Sequence, residues 1–237
     1  MEHDECAQAG WEQRGPRVVA IGGGTGLSTM LRGLKNHTKN LTAIVTVADD
    51  GGGSGRLRQD LGMPPPGDIR HCMEAVARMS EVLAISGRVL PVTNENVALE
   101  ATFENGATVL GESKICAFKK AQDCRIESVR LLPEHPKALP EAVRAIRQAD
   151  LILLGPGSLY TSVIPNLLVD GISDAVCASD ALKIYICNIM TQDGETEGMT
   201  ACDHVKALLR HSAPALVDLC LCNCAPVRQG LLERYRE

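Results

Sequence analysis

The 237-residue sequence has few aromatic residues: one Trp, three Tyr and two Phe make up 3% of the chain. Proteins that bind single-stranded nucleic acids stack the bases on aromatic side chains, so this scarcity argues against such a surface. The sequence also lacks a run of basic residues, and its formal net charge is −5. Because nucleic-acid affinity comes mainly from Lys and Arg contacts with phosphates, we do not expect nucleic acid as a partner.

Long hydrophobic runs are missing as well. No apolar stretch approaches the roughly 20 residues of a membrane-spanning helix, so no membrane span is expected. The first residues, Met-Glu-His-Asp-Glu, are acidic and lack the apolar centre of a signal peptide. We therefore expect a cytoplasmic protein. Residues 1–16 are predicted to be a disordered polar leader, and residues 17–237 to form a single domain.

The ten cysteines include no Cys-x-x-Cys pair, which argues against the commonest metal and redox motifs. Without a signal peptide, these thiols are expected to stay reduced. Cys220, Cys222 and Cys224 alternate along the chain, which puts three sulfurs on one face of a strand. The pattern favours a buried strand face and leaves a metal site as the weaker alternative.

A glycine-rich turn stands between an apolar run and a helical pattern near the N-terminus. Val-Val-Ala-Ile at 18–21 precedes it, and Leu27, Met30, Leu31 and Leu34 follow at helical spacing. Glycines let the backbone turn sharply and approach a ligand, and a helix N-terminus attracts anions. This pattern favours a phosphate-binding turn over a simple strand-to-helix connection. The predicted turn consists of Gly22, Gly23, Gly24, Thr25 and Gly26.

The turn departs from the standard nucleotide fingerprints. A Gly-x-Gly-x-x-Gly pattern would need glycine at Leu27 or Thr29, and no Gly-Lys-Ser/Thr exists in the chain. A P-loop NTPase is therefore not expected. An NAD-dependent oxidoreductase is the weakest of the hypotheses that the turn allows.

An acidic pair follows the second predicted strand, residues 41–47. Asp49, Asp50 and Gly51 come next in the chain. A strand–helix–strand unit is parallel and right-handed, so the two carboxylates should lie beside the glycine turn. They could bind a ribose hydroxyl, hold Mg²⁺ against a diphosphate, or close an Asx turn. We rank the ligand-binding hypotheses above the turn.

Other local patterns make smaller predictions. Arg70 falls in a first helical turn, where a cation is not favoured by the helix dipole; a bound anion and a plain surface position explain it equally well. Alternating apolar residues on both sides of Asn105-Gly106 predict an antiparallel hairpin. Thr200 and Asp203 are spaced as a capping box, and His204 is expected on a solvated helix face.

Two further apolar strands, residues 150–154 and 183–187, also end in polar loops. The carboxyl ends of parallel strands form one edge of a sheet, where ligands bind. We expect the four loops to line one pocket for a ligand that carries phosphates and a sugar. No Ser-His-Asp set or metal-ligand cluster is present, so no catalytic residue is predicted. The residues that these last two loops contribute are Gly155, Gly157, Ser158, Asn188 and Thr191.

Five motifs together resemble one family. They are Ala-Ile-Gly-Gly-Gly-Thr-Gly-Leu at 20–27, Thr-Val-Ala-Asp-Asp-Gly at 46–51, Pro-Pro-Gly-Asp-Ile-Arg at 65–70, Gly-Pro-Gly-Ser-Leu-Tyr-Thr-Ser at 155–162 and Met-Thr-Gln-Asp-Gly-Glu-Thr at 190–196. The set is similar to the YvcK-like gluconeogenesis factors of the CofD-like group, which includes 2-phospho-L-lactate transferase. The resemblance covers nearly all of residues 17–235.

The resemblance implies a Rossmann-like α/β fold: an open, mostly parallel sheet with helices on both faces and a small antiparallel hairpin insertion. It also implies a bacterial cytoplasmic regulator of cell shape and cell-wall growth under gluconeogenic conditions. The implied ligand is a nucleotide sugar such as UDP-N-acetylglucosamine, and Tyr235 belongs to a segment that approaches it in relatives. The alternative is a Mg²⁺-dependent transferase, in which Asp49 and Asp50 would hold the metal.

The chain departs from the family in two places. Relatives carry a helical block that includes a Gly-His-x-x-Gly-Asn motif, whereas here Val76-Ala-Arg-Met79 runs straight through. Relatives also continue past the position of Tyr235. If the block is absent, one wall of the pocket is absent with it. A homo-oligomer and a cell-wall or signalling protein partner are both compatible with the resemblance, and the sequence decides neither.

Overall fold

The structure is a computed structural model that describes residues 15–48 and 87–225. Six strands build the main sheet, and all of their pairings are parallel. These strands are β1 (Val18–Gly22), β2 (Leu41–Val45), β3 (Arg88–Pro91), β7 (Leu151–Leu154), β8 (Leu182–Ile186) and β9 (Leu219–Leu221). A second, antiparallel sheet consists of β4 (Ala98–Phe103), β5 (Thr108–Leu110) and β6 (Ile126–Leu132).

Six α-helices and one π-helical turn connect the described strands. The helices are α1 (Gly24–Leu34), α2 (Glu112–Gln122), α3 (Pro140–Arg147), α4 (Ile164–Leu167), α5 (Ile172–Cys177) and α6 (Ala201–Arg210). The π-helical turn, Leu159–Val163, directly precedes α4. None of the helices in the described ranges is long and apolar enough to cross a membrane.

The order of the main sheet is β3-β2-β1-β7-β8-β9. The chain thus builds outward from β1 in one direction, then returns to β7 and builds outward in the other. This is the order of a doubly wound Rossmann sheet, and its direction reverses between β1 and β7. The predicted fold class, an open parallel sheet with a small antiparallel insertion, is confirmed.

Alternating side chains of β1 divide the apolar interior into two cores. Val18 and Ala20 pack with Leu27 and Leu31 of α1 on one face of the sheet. Val19 and Ile21 point to the other face and join the larger core. That core also contains Ile146 of α3 and Ile172 of α5, so helices cover both faces as predicted.

The predicted hairpin is present as β4 and β5, and the chain turns at Asn105-Gly106. Helix α2 follows directly and was not predicted. Phe118 of this helix packs against Phe103, with ring centroids 4.6 Å apart. The insertion is therefore a small sheet with its own helix, rather than strands alone.

Helix α6 confirms one local prediction and corrects another. Thr200 and Asp203 form the predicted capping box, in which the Asp203 amide donates to the Thr200 hydroxyl. The expectation of a solvated His204 was wrong, because this side of α6 packs against the larger core. His204 is 3% exposed, and its Nδ1 donates to the Thr200 carbonyl 2.8 Å away.

The cysteines at the far edge of the main sheet are also corrected. Cys220, Cys222 and Cys224 are exposed, so the predicted buried strand face was wrong. β9 lies at the end of the described sheet, with Leu219 and Leu221 exposed beside these thiols. Alternation identifies the face that a residue occupies, but it does not reveal whether anything covers that face.

Candidate functional site

The reversal in strand order opens a crevice at the carboxyl ends of β1 and β7. These two strands are parallel neighbours, with Ile21 paired to Leu154 at their carboxyl ends. The chain leaves β1 into a loop that begins α1, and it leaves β7 into a loop that begins the π-helical turn. In open α/β sheets, ligands bind in the crevice where the connections diverge.

The first glycine loop, residues 22–26, opens α1 without a side-chain cap. Gly23 is the N-cap, in an extended conformation with φ −171° and ψ 178°. Gly24 has φ +72°, and a Cβ atom there would meet nothing within 4 Å. Because the first amides of a helix have no partner within it, α1 presents donors to the crevice at an unobstructed point.

The second glycine loop, residues 155–158, packs directly on the first. The Gly155 amide donates to the Ile21 carbonyl at 2.7 Å. A Cβ on Gly157 would lie 2.9 Å from the Gly23 carbonyl oxygen, and one on Gly26 would lie 3.3 Å from Pro156 Cγ. Gly22, Gly23 and Gly26 thus permit the two loops to touch, whereas Gly24 alone of the first-loop glycines contacts no other segment of the described chain.

A third loop, after β8, supports the second. The Asn188 side chain donates to the Gly157 carbonyl at 2.9 Å and accepts from the Gly157 amide at 3.3 Å. The Ser158 hydroxyl donates to Gln192 Oε1 at 2.6 Å. Asn188 and Gln192 thus lie against the second glycine loop, and the side chains of Asn188 and Ser158 both bind the protein itself. Thr191 is exposed on the same loop.

Glu195 follows the third loop and binds the start of the π-helical turn. It was not among the predicted site residues. Its Oε1 accepts hydrogen bonds from the amides of Tyr160 at 2.7 Å and Thr161 at 3.0 Å. The side chain is 2% exposed. Burial raises the pKa of Glu195 to about 7, although these two hydrogen bonds oppose the shift.

Two buried residues of the π-helical turn and α4 complete the support and were also missed. A Cβ on Gly23 would lie 3.3 Å from the Ser162 Oγ. The Asn166 side-chain amide donates to the Ser162 carbonyl at 2.7 Å and to the Gly22 carbonyl at 3.4 Å. Both residues follow the second glycine loop in the sequence, and their polar character inside an apolar stretch was the available signal.

Several predicted site residues lie outside the described part of the chain: Asp49, Asp50, Gly51, Arg70 and Tyr235. The proposed metal ligands Asp49 and Asp50 are in this group. Within residues 15–48 and 87–225, no group of three or more His, Cys, Asp or Glu side chains is placed to hold a metal ion.

Comparison with known proteins gives consistent matches. A family model described as 2-phospho-L-lactate transferase CofD matches residues 18–78 and 73–237. A protein named gluconeogenesis factor from Bacillus subtilis is 43% identical over an alignment of 265 positions. This alignment covers 93% of this chain and 82% of that protein. A relative from Clostridium acetobutylicum is 47% identical over an alignment of 268 positions, gaps included, which covers 94% of this chain.

The chain spans only 59% of the length of the Clostridium relative. Among solved structures, a member of the UPF0052 family from Bacillus halodurans superposes with a TM-score of 0.78 at 41% identity. This superposition covers 92% of the present chain and 84% of that chain. The two matched segments of the family model meet at residues 73–78, which include Val76.

Proposed function

The chain belongs to the CofD family, and from this membership we propose that it is a gluconeogenesis factor that binds a nucleotide sugar by its phosphates. One observation carries the proposal: the glycine loops after β1 and β7 touch at the point where the strand order reverses. There the start of α1 offers uncapped amides to an anion. The Bacillus subtilis relative, which is named gluconeogenesis factor, supports the gluconeogenic part of this proposal.

The proposed ligand class follows from the chemistry of these donors. Backbone amides at a helix start favour a phosphate, and they do not select a base. UDP-N-acetylglucosamine carries a diphosphate and a sugar, and it is the ligand that the resemblance to the gluconeogenesis factors implies. Binding without chemistry suits a regulator of cell shape and cell-wall growth in the cytoplasm, with a further protein as its target.

Calorimetric titration with UDP-N-acetylglucosamine tests the proposal. We expect Gly24→Ala to weaken binding at least tenfold, because a methyl group would enter the position beside the α1 amides that the described residues leave open. Gly106→Ala is the matched control, since Gly106 has φ +80° and equally open surroundings in the β4–β5 turn. No heat and no thermal shift with the wild-type protein would contradict the proposal.

A second candidate function is phospho-acid transfer, and the description of the matching family model favours it. In this alternative Asp49 and Asp50 would hold Mg²⁺ against a diphosphate, which is the usual carboxylate role at such sites. ³¹P NMR of the protein with Mg²⁺ and a nucleotide-linked phospho-acid would detect turnover. Activity that vanishes in Asp50→Asn supports the transferase; activity unchanged in that variant removes its mechanism.

A further inference from the structure

The carboxylate of Glu195 occupies the start of the π-helical turn, where a ligand anion would otherwise be expected. Its Oε1 already accepts from the amides of Tyr160 and Thr161. Its Oε2 is buried and has no hydrogen-bond partner within residues 15–48 and 87–225. The protein thus supplies its own anion at the end of the second glycine loop. A bound phosphate is left with the donors of the first loop and the start of α1.

Glu195 also fixes the loop that the ligand would meet. It anchors Tyr160 and Thr161, while Asn188 holds Gly157 and Gln192 accepts from Ser158. Each of these contacts joins the loop after β8 either to the second glycine loop or to the π-helical turn that directly follows it. Since Gly157 packs against Gly23, these contacts also affect how the two glycine loops are placed relative to each other.

Among the described residues, the charged groups around Glu195 include no cation that pairs with it. Glu197, on the same loop, adds a like charge, and Lys119 of α2 lies 3.4 Å from the Glu197 carboxylate. Tyr160 of the π-helical turn and Tyr185 of β8 also face this region. In the described ranges no Lys, Arg or His forms an ion pair with Glu195. The charged residues of α6 that act on Tyr160 are Arg210 and Asp203.

We propose that Glu195 is a positioning residue that holds the second glycine loop and takes up a proton when a phosphate-bearing ligand binds beside it. The proposal rests on the function proposed above. The π-helical turn that binds Glu195 through its Tyr160 and Thr161 amides also places Ser162 against Gly23, the N-cap of α1. A phosphate at the start of α1 would therefore add negative charge on the other side of this turn from a buried carboxylate that pairs with no cation of the described residues, and low dielectric strengthens their repulsion. Protonation removes the repulsion, while the carbonyl oxygen of the neutral acid still accepts from the amides.

Proton uptake can be counted by calorimetry with UDP-N-acetylglucosamine in buffers of different ionisation enthalpy. Because the Glu195 pKa is about 7, we expect uptake of up to about half a proton per ligand at pH 7 and less than about 0.1 at pH 6. Glu195→Gln should bind with no uptake from this group. Glu141→Gln is the control, because Glu141 lies on α3 and pairs with Arg144. Zero uptake by the wild type, or equal uptake by Glu195→Gln, would overturn the proposal.

A second measurement separates this proposal from the proposed function. The Glu195 carboxyl is titrated by ¹³C NMR in the free protein and with inorganic pyrophosphate as the probe. We expect a midpoint near pH 7 that pyrophosphate moves upward. If the nucleotide sugar does not bind, the proposed function fails, and this titration still decides the role of Glu195. A midpoint in the ordinary range of glutamate, or one that pyrophosphate leaves unchanged, rejects it.

Discussion

A Cβ atom on Gly157 would lie 2.9 Å from the carbonyl oxygen of Gly23, so the two glycine loops touch through their backbones. Gly157 also has φ +155°, which L side chains rarely adopt. Glycine at 157 is therefore required by the fit between two protein segments, whereas glycine at 24 leaves space for a ligand. The two positions should respond differently to the same substitution.

For Gly157→Ala we expect a loss of about 2 to 3 kcal/mol in the free energy of unfolding, because the methyl group would meet the Gly23 backbone and the Ser162 side chain. Urea unfolding measures the loss. Gly106→Ala introduces strain at φ +80° without any contact, so its cost should be about 1 kcal/mol. Equal costs for the two variants would contradict the close packing of the loops.

Asn188→Ala should lower the free energy of unfolding by about 1 to 3 kcal/mol and weaken ligand binding, since it removes both hydrogen bonds to Gly157. Asn223→Ala is its control, because Asn223 bonds the backbone of Ala225 in a similar way at an exposed turn. Unfolding and calorimetric titration are measured together. A binding loss as large in the control would show that the effect does not come from the crevice.

The raised pKa of Glu195 predicts that the free energy of unfolding depends on pH. Its pKa is about 7 in the folded protein against 4.5 normally, so the folded state holds the extra proton between these values. The contribution of Glu195 to the free energy of unfolding is fully present below pH 4.5. It is lost as the pH rises to about 7, by an amount on the order of 3 kcal/mol. Unfolding curves at pH 5, 6, 7 and 8 should show this decline in the wild type and lack it in Glu195→Gln. Parallel curves would reject the shifted pKa.

The sequence predicts that this chain lacks the helical block of its relatives. Peptide mapping of the protein from its natural source can test this prediction. Cleavage after glutamate should release residues 75–81, Ala-Val-Ala-Arg-Met-Ser-Glu, if Val76-Ala-Arg-Met79 is continuous. An alignment of 268 positions with the Clostridium relative is longer than this 237-residue chain, so that relative carries residues that this chain lacks. Recovery of the flanking peptides without residues 75–81 would contradict the prediction.

Most of the parallel sheet was predictable because β1, β2 and β7 are continuous apolar runs, each followed by a polar loop. The strand β3 was not predicted, since it is only four residues long and begins with the exposed Arg88. The hairpin was predictable from Asn105-Gly106 for a similarly local reason. Helix α2 was missed because Lys119 and Glu112 are buried on it, so its buried side does not appear as an apolar stripe in the sequence.

The crevice was predicted in outline, since Gly24, Ser158 and Asn188 reach one edge of the sheet through topology alone. Glu195 was not predicted. It sits among Asp193 and Glu197 in a segment whose charges are typical of solvated loops. Only the tertiary contact with the amides of Tyr160 and Thr161 identifies it as buried. The role of Asp49 and Asp50 stays a prediction, because both lie outside the described residues.

The central claim is that a nucleotide sugar binds with its phosphates at the start of α1, and ¹H–¹⁵N NMR tests it most directly. On titration with UDP-N-acetylglucosamine, we expect the amide signals of Gly24, Gly26 and Gly157 to shift with saturation. Those of Gly106 and Gly171, which lie in other turns, should stay in place. Absence of any shift, or shifts confined to amides away from the two glycine loops, would contradict the account.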